Sequence, residues 1–238
     1  MTETPRDIAT ELLDAALMHV PFDGWSDTAF KAAIADVDVA PAVAKGLFPR
    51  GALDLAVAFH RRGDDAMVAA LRDHDLSEMR FRDKVALAVR LRLEAVEDKE
   101  AVRRGATLFA LPMHAAEGTR LIWGTADRIW TALGDTSRDI NWYTKRATLS
   151  GVYSSTVLYW LGDDSLDNQA TWGFLDRRIG DVMQVEKAKA QVRKTPGLGR
   201  LAKQAEAVLS RVTPPKNRRD DLPGGWTVPR QRSGSGLT

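Results

Sequence analysis

The chain has 238 residues, of which 44% are hydrophobic and 28% charged, and it contains no cysteine. This composition is typical of a globular protein with a buried core, and it excludes disulfides and metal sites built from thiolates. The net charge of +2 is unevenly distributed, because residues 187–219 carry ten basic side chains and one acid, whereas residues 1–60 carry nine acids and four bases.

The N-terminal residues are acidic and lack a basic stretch followed by an apolar run, a pattern that predicts neither a secretory signal nor a transit peptide. No uncharged apolar stretch reaches the ~18 residues of a membrane-spanning helix. These features predict a cytoplasmic protein or one that is peripheral on a membrane. Only the basic C-terminal part is expected to be attracted to anionic surfaces.

Nearly every segment has the apolar spacing of an amphipathic helix, and none alternates as a half-buried strand does. The sequence therefore predicts an all-α fold. A break at residues 195–197 precedes the last predicted helix, and the chain from Pro214 onward is rich in proline, glycine, serine and charge. In chain order, the predicted helices cover residues 5–20, 26–37, 41–47, 50–62, 64–73, 77–100, 101–112, 117–133, 138–161, 167–192 and 198–212.

Two short predicted helices within residues 26–47 have the spacing of a helix-turn-helix. They resemble the N-terminal domain of TetR-type regulators, in which the second helix enters the DNA major groove. Here that helix reads APAVAKGL, and Lys45 is its only side chain suited to reading base edges. Because residues 1–60 also carry more acids than bases, a helix-turn-helix that serves only for packing is favoured, and no binding to nucleic acid is predicted.

The predicted helix at residues 138–161, with Thr136 or Ser137 as its expected cap, carries no charge from Ala147 onward, although a surface helix normally has a charged face. Small residues on it, among them Gly151, would allow another helix to approach closely. The two helices at 138–161 and 167–192 together predict a homodimer, and a monomer with a central buried helix is the alternative. The second of them has an apolar stripe made of Trp172, Leu175, Ile179, Val182 and Met183.

Sequence motifs for catalysis and for metal binding are absent. The four histidines form neither HExxH nor paired ExxH motifs, and no nucleophile elbow or phosphate-binding loop occurs. Residues 197–202 match a dinucleotide-binding pattern, but the strand that such a site requires is missing. The motifs therefore predict no enzyme, no metal and no cofactor.

Two runs carry a family resemblance: DINWYTKRATLSGVYSSTVLYW, which begins at Asp139, and DDSLDNQATWGFLDRRIGDVM, which begins at Asp163. They resemble the ubiquinone (coenzyme Q) biosynthesis accessory protein usually numbered nine in that pathway. The preceding run LFALPMHAAEGTRLIWGTADRIW also fits, and the resemblance covers roughly residues 5–212. The acidic start without a transit peptide leads us to expect a bacterial member at the inner face of the cytoplasmic membrane.

The resemblance implies a TetR-like helical dimer that is not a transcription factor. It implies that the protein binds isoprenoid lipids or ubiquinone precursors and associates with the demethoxyubiquinone hydroxylase, whose membrane-borne substrate it helps to deliver. A C-terminal amphipathic helix is implied to contact the membrane. The implied organisation is a degenerate helix-turn-helix region at 1–50, a lipid-binding and dimerisation domain at 51–192, the membrane helix at 198–212 and a disordered tail at 213–238.

A polyprenyl chain needs a tunnel lined by apolar and aromatic side chains. An ordinary filled core is the alternative for every candidate residue. The candidates on the inward faces of the predicted helices are Leu108, Phe109, Leu111, Met113, Trp123, Trp130, Leu149, Tyr153 and Phe174.

The candidate residues of the partner surface are Asn141, Trp142, Tyr143 and Arg146. Tyr143 shares a helical face with Ile140 and is predicted to lean toward the core. Trp142 shares a face with Arg146 and is predicted to lean outward, and an exposed tryptophan beside a cation is typical of a protein interface. Two partly buried aromatic residues that close the helix end are the alternative.

The candidate membrane face of the last helix comprises Leu198, Leu201, Ala205, Val208, Leu209 and Val212. These residues recur at three- and four-residue spacing, and basic side chains surround them, as in helices that lie at a membrane interface. A helix docked permanently on the core is the alternative. For the whole chain, a TetR-type ligand-responsive transcriptional regulator and a lipid-modifying enzyme are the alternative functions.

Overall fold

The computed structural model describes residues 7–194, and the side chains of residues 7–184. This part of the chain contains helices and turns but no strand, and the prediction of an all-α fold is confirmed. The helices are α1 (Ile8–Asp23), α2 (Asp27–Val37), α3 (Pro41–Leu47), α4 (Ala52–Asp73), α5 (Phe81–Glu94), α6 (Lys99–Ala110), α7 (Ala115–Ala132), α8 (Ile140–Leu161) and α9 (Gln169–Lys194), with a short 3-10 turn at Leu166–Asn168.

Side-chain caps fix where several helices begin. Asp7, Ser26 and Asp98 each accept a hydrogen bond from a backbone N–H in the first turn of the helix that follows. Asp139 caps α8 in the same way, so this helix starts two residues after its predicted start. The two caps expected from the sequence lie in the connection that precedes α8.

The structure differs most from the predicted helix bounds at α4 and α5, and α5 also begins four residues later than predicted. The predicted helices at 50–62 and 64–73 form the single helix α4, because Gly63 is a buried helical residue and not a breaker. A Cβ atom at Gly63 would lie 2.5 Å from Nη1 of Arg92, so glycine is what allows this arginine to pack against α4. The predicted helix at 77–100 ends at Glu94, and the cap at Asp98 starts α6.

The hydrophobic core consists of two clusters. The first joins α1, α2, α3, α6 and the start of α4, and the second joins the end of α4 with α5, α7, α8 and α9. Helix α4 contributes Leu55 to the first cluster and Met67 to the second. Because α4 contributes to both clusters, it fixes the three N-terminal helices relative to α5, α7, α8 and α9.

Helices α2 and α3 lie where the sequence predicts the helix-turn-helix. Asp38 adopts a left-handed conformation between them, with φ near 51°. Helix α3 exposes Val43, Lys45 and Leu47 and buries Ala44 in the first core cluster. Its outer face is therefore mostly apolar.

Within residues 7–194, no helix is both long enough and apolar enough to cross a membrane. The predicted membrane helix at 198–212 and the predicted tail at 213–238 lie outside the described residues.

Candidate functional site

A cavity of about 360 Å³ lies where the two core clusters meet. Helices α4 to α8 form its wall, together with Trp25 from the turn between α1 and α2. Pockets with apolar walls and a few polar groups are the common form of small-molecule and lipid sites. The apolar lining comprises Trp25, Ala56, Phe59, Leu93, Val96, Ala101, Val102, Gly105, Ala106, Phe109, Ala110, Ala115, Gly118, Leu121, Ile122, Val157 and Leu158.

The cavity has a buried end and an exposed edge. Leu93 and Tyr153 are almost fully buried, whereas Leu158 is exposed. The loop between α6 and α7 joins two residues of the cavity wall, Ala110 and Ala115. It carries two apolar side chains, Leu111 and Met113, which are 45% and 78% exposed. We call Leu111, Met113 and Leu158 the apolar rim.

The close contact of α6 with α7 positions Phe109 on the cavity wall. A Cβ atom at Gly118 would lie 2.7 Å from Cβ of Phe109, which is closer than real side chains approach. Glycine at this position thus lets α7 pack directly against the aromatic residue.

The buried end of the cavity is polar. Nε of Arg92 donates to Oδ1 of Asp64 at 2.6 Å, and the two side chains are 5% and 4% exposed. Nη2 of Arg92 also donates to the backbone carbonyl of His60 at 3.0 Å. Behind this pair, the Thr125 hydroxyl lies 2.9 Å from Oδ1 of Asp64 and 2.8 Å from Nε2 of His60.

Three of these side chains, those of His60, Arg92 and Tyr153, line the cavity. We call them the polar floor. Burial, and then the charge of Arg92, lowers the pKa of His60 to about 4, so the ring is neutral at neutral pH. Burial raises the pKa of Tyr153, whose hydroxyl lies beside Thr125. Burial alone would lower the pKa of the Arg92 guanidinium. The electrostatic interactions with Tyr153 and Asp64 outweigh burial and raise this pKa.

The nine side chains predicted to bind lipid are distributed over several places. Phe109 and Tyr153 line the cavity, and Leu111 and Met113 lie at its rim. The structure thus places two of the nine on the cavity wall and two in the loop that joins Ala110 and Ala115 of that wall, and their contact with a lipid stays a prediction.

Three of the other predicted lipid-binding residues lie in the core or at the surface. Leu108 packs against the first core cluster, and Leu149 belongs to the second. Trp123 contacts Trp142 and Tyr143, two residues of the predicted partner surface, and does not line the cavity.

The last two predicted lipid-binding residues form stacked pairs away from the cavity. Trp130 stacks on Phe81 with ring centroids 5.3 Å apart, and Phe174 stacks on Tyr159 at 4.5 Å. Each ring is therefore occupied by an aromatic neighbour of the same chain.

Of the polar floor, Tyr153 was among the predicted lipid-binding residues, whereas His60 and Arg92 were not predicted, although the sequence contains a signal for Arg92. In α5, the buried face includes Val85, Val89 and Leu93, and Arg92 occupies the same face. A charged residue on a buried helical face requires a buried partner. The partner, Asp64, lies 28 positions earlier on α4, and spacing alone does not identify it.

Trp123, Trp142 and Tyr143 form a cluster at the surface, which we call the aromatic patch. The rings of Trp142 and Tyr143 meet edge to face with centroids 4.8 Å apart, and Trp123 lies 6.0 Å from Trp142. Both Trp142 and Tyr143 are partly buried, so the predicted division into one core and one outward residue is not observed. Asn141 is exposed and donates to Asp139.

The buried side chain of Arg146 packs against the aromatic patch. Its guanidinium lies 4.0 Å from the ring centroid of Trp142, and it forms ion pairs with Asp127 at 2.5 Å and Asp135 at 3.0 Å. Arg146 is only 2% exposed and therefore offers almost no surface of its own to a partner. Its contact with Trp142 holds that ring in position.

Asp135 anchors this arrangement between α7 and α8. Its carboxylate accepts hydrogen bonds from Lys145 at 2.8 Å, from Ser137 at 2.8 Å and from Arg146 at 3.0 Å. Burial disfavours the charge of Asp135, but these hydrogen bonds outweigh burial and hold the pKa of the carboxyl well below its usual range.

Among the residues whose side chains are described, no group of three or more histidine, aspartate or glutamate side chains could hold a metal ion.

Comparison with known proteins identifies the family. The COQ9 family profile matches residues 115–186, which include α7, α8 and most of the described part of α9. The chain is 30% identical over 204 residues to "Ubiquinone biosynthesis protein COQ9-B, mitochondrial" of Xenopus laevis, a match that covers 81% of this chain and 68% of that protein. It is 33% identical to the COQ9 protein of Drosophila melanogaster, with 77% of this chain and 58% of that protein covered.

The chain spans 63% of the length of the COQ9 protein of Xenopus tropicalis, to which it is 30% identical over 81% of this chain. Among solved structures, it is similar to a TetR transcriptional regulator from Nitrosomonas europaea, with a TM-score of 0.62, 16% identity, and coverage of 74% of this chain and 97% of that one. At this identity the likeness concerns the fold, and the predicted TetR-like architecture is confirmed.

The expected location at a bacterial cytoplasmic membrane is contradicted. The matched relatives from Xenopus, Drosophila, Dictyostelium and human are all named as mitochondrial proteins. The expectation relied on the acidic N-terminal residues, whose composition does not determine the compartment of a protein family. The profile match in α7 to α9, together with the relatives that align over most of the chain, establishes that the chain belongs to the COQ9 family.

Proposed function

We propose that this protein is a non-catalytic, lipid-binding accessory protein of ubiquinone biosynthesis. It binds isoprenoid quinone precursors and helps to present them to the demethoxyubiquinone hydroxylase at the membrane. The observation that carries the proposal is the apolar cavity between the two core clusters. The names of the family relatives support both the pathway and a mitochondrial location.

The dimensions of the cavity support a lipid that is only partly enclosed. Its volume of about 360 Å³ is near the lower end of the ~300–1,000 Å³ that is usual for ligand pockets. Such a space holds a ring or a few isoprene units but not a long polyprenyl chain. The remainder of the chain must pass the apolar rim, where Leu111, Met113 and Leu158 are exposed.

The aromatic patch supports a binding surface for the hydroxylase. Tryptophan and tyrosine are enriched among residues whose loss strongly weakens protein interfaces. Arg146 and its two carboxylate partners hold the ring of Trp142 in place before any partner binds. A side chain that is already ordered loses less conformational entropy on binding, which favours affinity.

Helices α8 and α9 support a homodimer. Gly151 is exposed on α8, with open space where a side chain would project. On α9, Met183 is exposed while Leu175 and Ile179 are buried in the second core cluster. The uncharged outer face of α8 is suited to contact with a second copy of this chain.

Membrane contact through the predicted helix at 198–212 is part of the proposal and rests on the sequence. That helix follows the basic stretch that begins at Lys187. Each basic side chain near an anionic bilayer contributes about 1 kcal/mol of attraction.

A TetR-type ligand-responsive regulator is the second candidate, and the similar fold of the Nitrosomonas europaea regulator is the observation that favours it. The outer face of α3 argues against it, because Val43 and Leu47 accompany Lys45 there and provide no groups for reading base edges.

A cavity-blocking variant tests the proposed function. Ala106→Trp adds a large ring at an exposed part of the cavity wall, whereas Ala69→Trp, at an exposed position of α4 outside the cavity, is the matched control. We expect organic extracts of the purified wild-type and Ala69→Trp proteins to contain an isoprenoid lipid by mass spectrometry, and extracts of Ala106→Trp to lack it. Equal lipid in all three proteins, or none in the wild type after exposure to prenylated quinones, would contradict the proposal.

A further inference from the structure

The polar floor is not needed to hold a hydrocarbon tail. A tail-binding pocket is best lined by apolar groups throughout, since each buried polar group costs free energy unless it is paired. Here a buried ion pair, a buried tyrosine and a neutral histidine meet at the enclosed end of the cavity. Their position suggests that they contact a polar part of the ligand.

The charges of this region favour an uncharged ligand group. The guanidinium of Arg92 is already neutralised by Asp64 at 2.6 Å, and burial keeps His60 neutral. A phosphate at the polar floor would therefore meet a carboxylate behind the arginine and no unpaired cation. Bringing an additional anion into this enclosed space would be unfavourable.

The hydrogen-bonding groups of the floor match an oxygen-bearing ligand. Thr125 has one hydroxyl proton, and Oδ1 of Asp64 and the carbonyl of Leu121 both lie within hydrogen-bond distance of it. When this proton is donated to Asp64 or Leu121, the Thr125 oxygen accepts from Nε2 of His60 at 2.8 Å. In that tautomer the neutral imidazole, which also lies near the backbone carbonyl of Leu121, carries a lone pair on Nδ1. A lone pair of this kind accepts a hydrogen bond from a hydroxyl group.

Donors are available as well. Arg92 uses one N–H for Asp64 and one for the carbonyl of His60, and a guanidinium has five. The hydroxyl of Tyr153 lies beside Thr125 at the same end of the cavity. The floor can therefore donate to a carbonyl or ether oxygen and accept from a hydroxyl.

We propose that the cavity binds its lipid with the head inward: His60, Arg92 and Tyr153 bind an uncharged, oxygen-bearing ring, and the isoprenoid tail leaves past the apolar rim. The inference rests on the proposed function, because it concerns the same cavity, but it adds the class of head group and the direction of the chain. A head group in this position is shielded from solvent and must move outward before another protein can modify it.

Three soluble probes with the same two-isoprene tail test the inference. The first carries a methoxyphenol ring, the second a benzene ring without oxygen, and the third a phosphate. Calorimetric titration measures the affinity of each probe for the wild type, for Tyr153→Phe and for His60→Leu. The matched control is Tyr159→Phe, which removes the same hydroxyl from the same helix outside the cavity.

We expect the wild type and Tyr159→Phe to bind the phenol probe about 3- to 10-fold more tightly per hydrogen bond than the benzene probe, and to bind the phosphate probe more weakly than the phenol. Tyr153→Phe and His60→Leu should each reduce the ratio of phenol to benzene affinity and leave benzene binding within about twofold. Thermal unfolding establishes that each variant is folded, and either variant alone suffices for the comparison.

Equal affinities of the wild type for phenol and benzene, or tightest binding of the phosphate probe, would overturn the inward orientation while leaving a lipid cavity in place. The same conclusion follows if the two variants weaken phenol and benzene binding equally. If the wild type binds none of the three probes, the proposed function itself fails.

Discussion

The neutral state of His60 makes the stability of the protein depend on pH in a predictable direction. The pKa is about 4 in the folded protein and 6.5 when the ring is free. Between these values, only the unfolded chain binds a proton to this residue, so lowering the pH favours unfolding. The folding free energy that neutral His60 contributes is therefore fully present above pH 6.5 and is lost as the pH falls toward 4.

The magnitude follows from the separation of the two pKa values. A difference of about 2.5, at about 1.36 kcal/mol for each pKa unit, gives roughly 3 kcal/mol of folding free energy. This is a large share of the ~5–15 kcal/mol that stabilises a typical domain. The groups whose charges act on His60 are Arg92, Asp64 and Arg61.

Urea unfolding followed by circular dichroism at pH values from about 7.5 to about 4 measures the effect. Because aspartate and glutamate residues also titrate near the lower limit, the informative quantity is the difference between the wild type and His60→Gln. That difference should change by roughly 3 kcal/mol over the range, with the variant losing less stability on acidification. His74→Gln, at an exposed histidine, should follow the wild type. Parallel curves for the wild type and His60→Gln would refute a neutral, buried His60.

Three further predictions concern partners. In a pull-down titration, Trp142→Lys should weaken binding to the demethoxyubiquinone hydroxylase by ~2 kcal/mol or more. Thr148→Lys on the same helix should leave the affinity unchanged. If Trp142→Lys also leaves it unchanged, Trp142 is not part of the interface. Gel shifts at low salt, where electrostatic binding is strongest, should detect no specific DNA complex, and a competitor-resistant shift would restore the regulator. Leu201→Glu combined with Leu209→Glu should abolish flotation with anionic liposomes and preserve thermal stability; continued flotation would exclude this helix as the anchor, and unfolding would indicate a docked helix.

The helices were predictable because local signals define them. Capping side chains such as Ser26 and Asp98 mark helix starts, and apolar residues at three- and four-residue spacing mark the buried faces. The largest errors concerned Gly63 and the two ends of α5. Glycine normally weakens a helix, and the reason for its presence at position 63 is the approach of Arg92 from another helix.

The cavity was less predictable than the helices. A cavity forms where the side chains of neighbouring helices leave space between them, and the spacing along one helix does not show this. Leu149 and Tyr153 are four residues apart on one face of α8, yet Leu149 is enclosed by the second core cluster and Tyr153 also reaches the cavity. Trp123 and Trp130 are seven residues apart on one face of α7, but they contact different aromatic partners. Helical spacing defines a face, whereas the packing of neighbouring helices decides what that face contacts.

Two locally unfavourable features occur together at the buried end of the cavity. Glycine within a helix costs about 1 kcal/mol relative to alanine, and burying an ion pair often costs more than an apolar pair of the same size would. Gly63 provides the space for Arg92, and Arg92 in turn holds Asp64, so the two features form one arrangement. Fold stability alone does not require this arrangement, because an apolar side chain at position 92 would continue the buried face of α5. Departures of this kind from local stability are expected at functional sites, and here they lie beside the cavity that the proposed function requires.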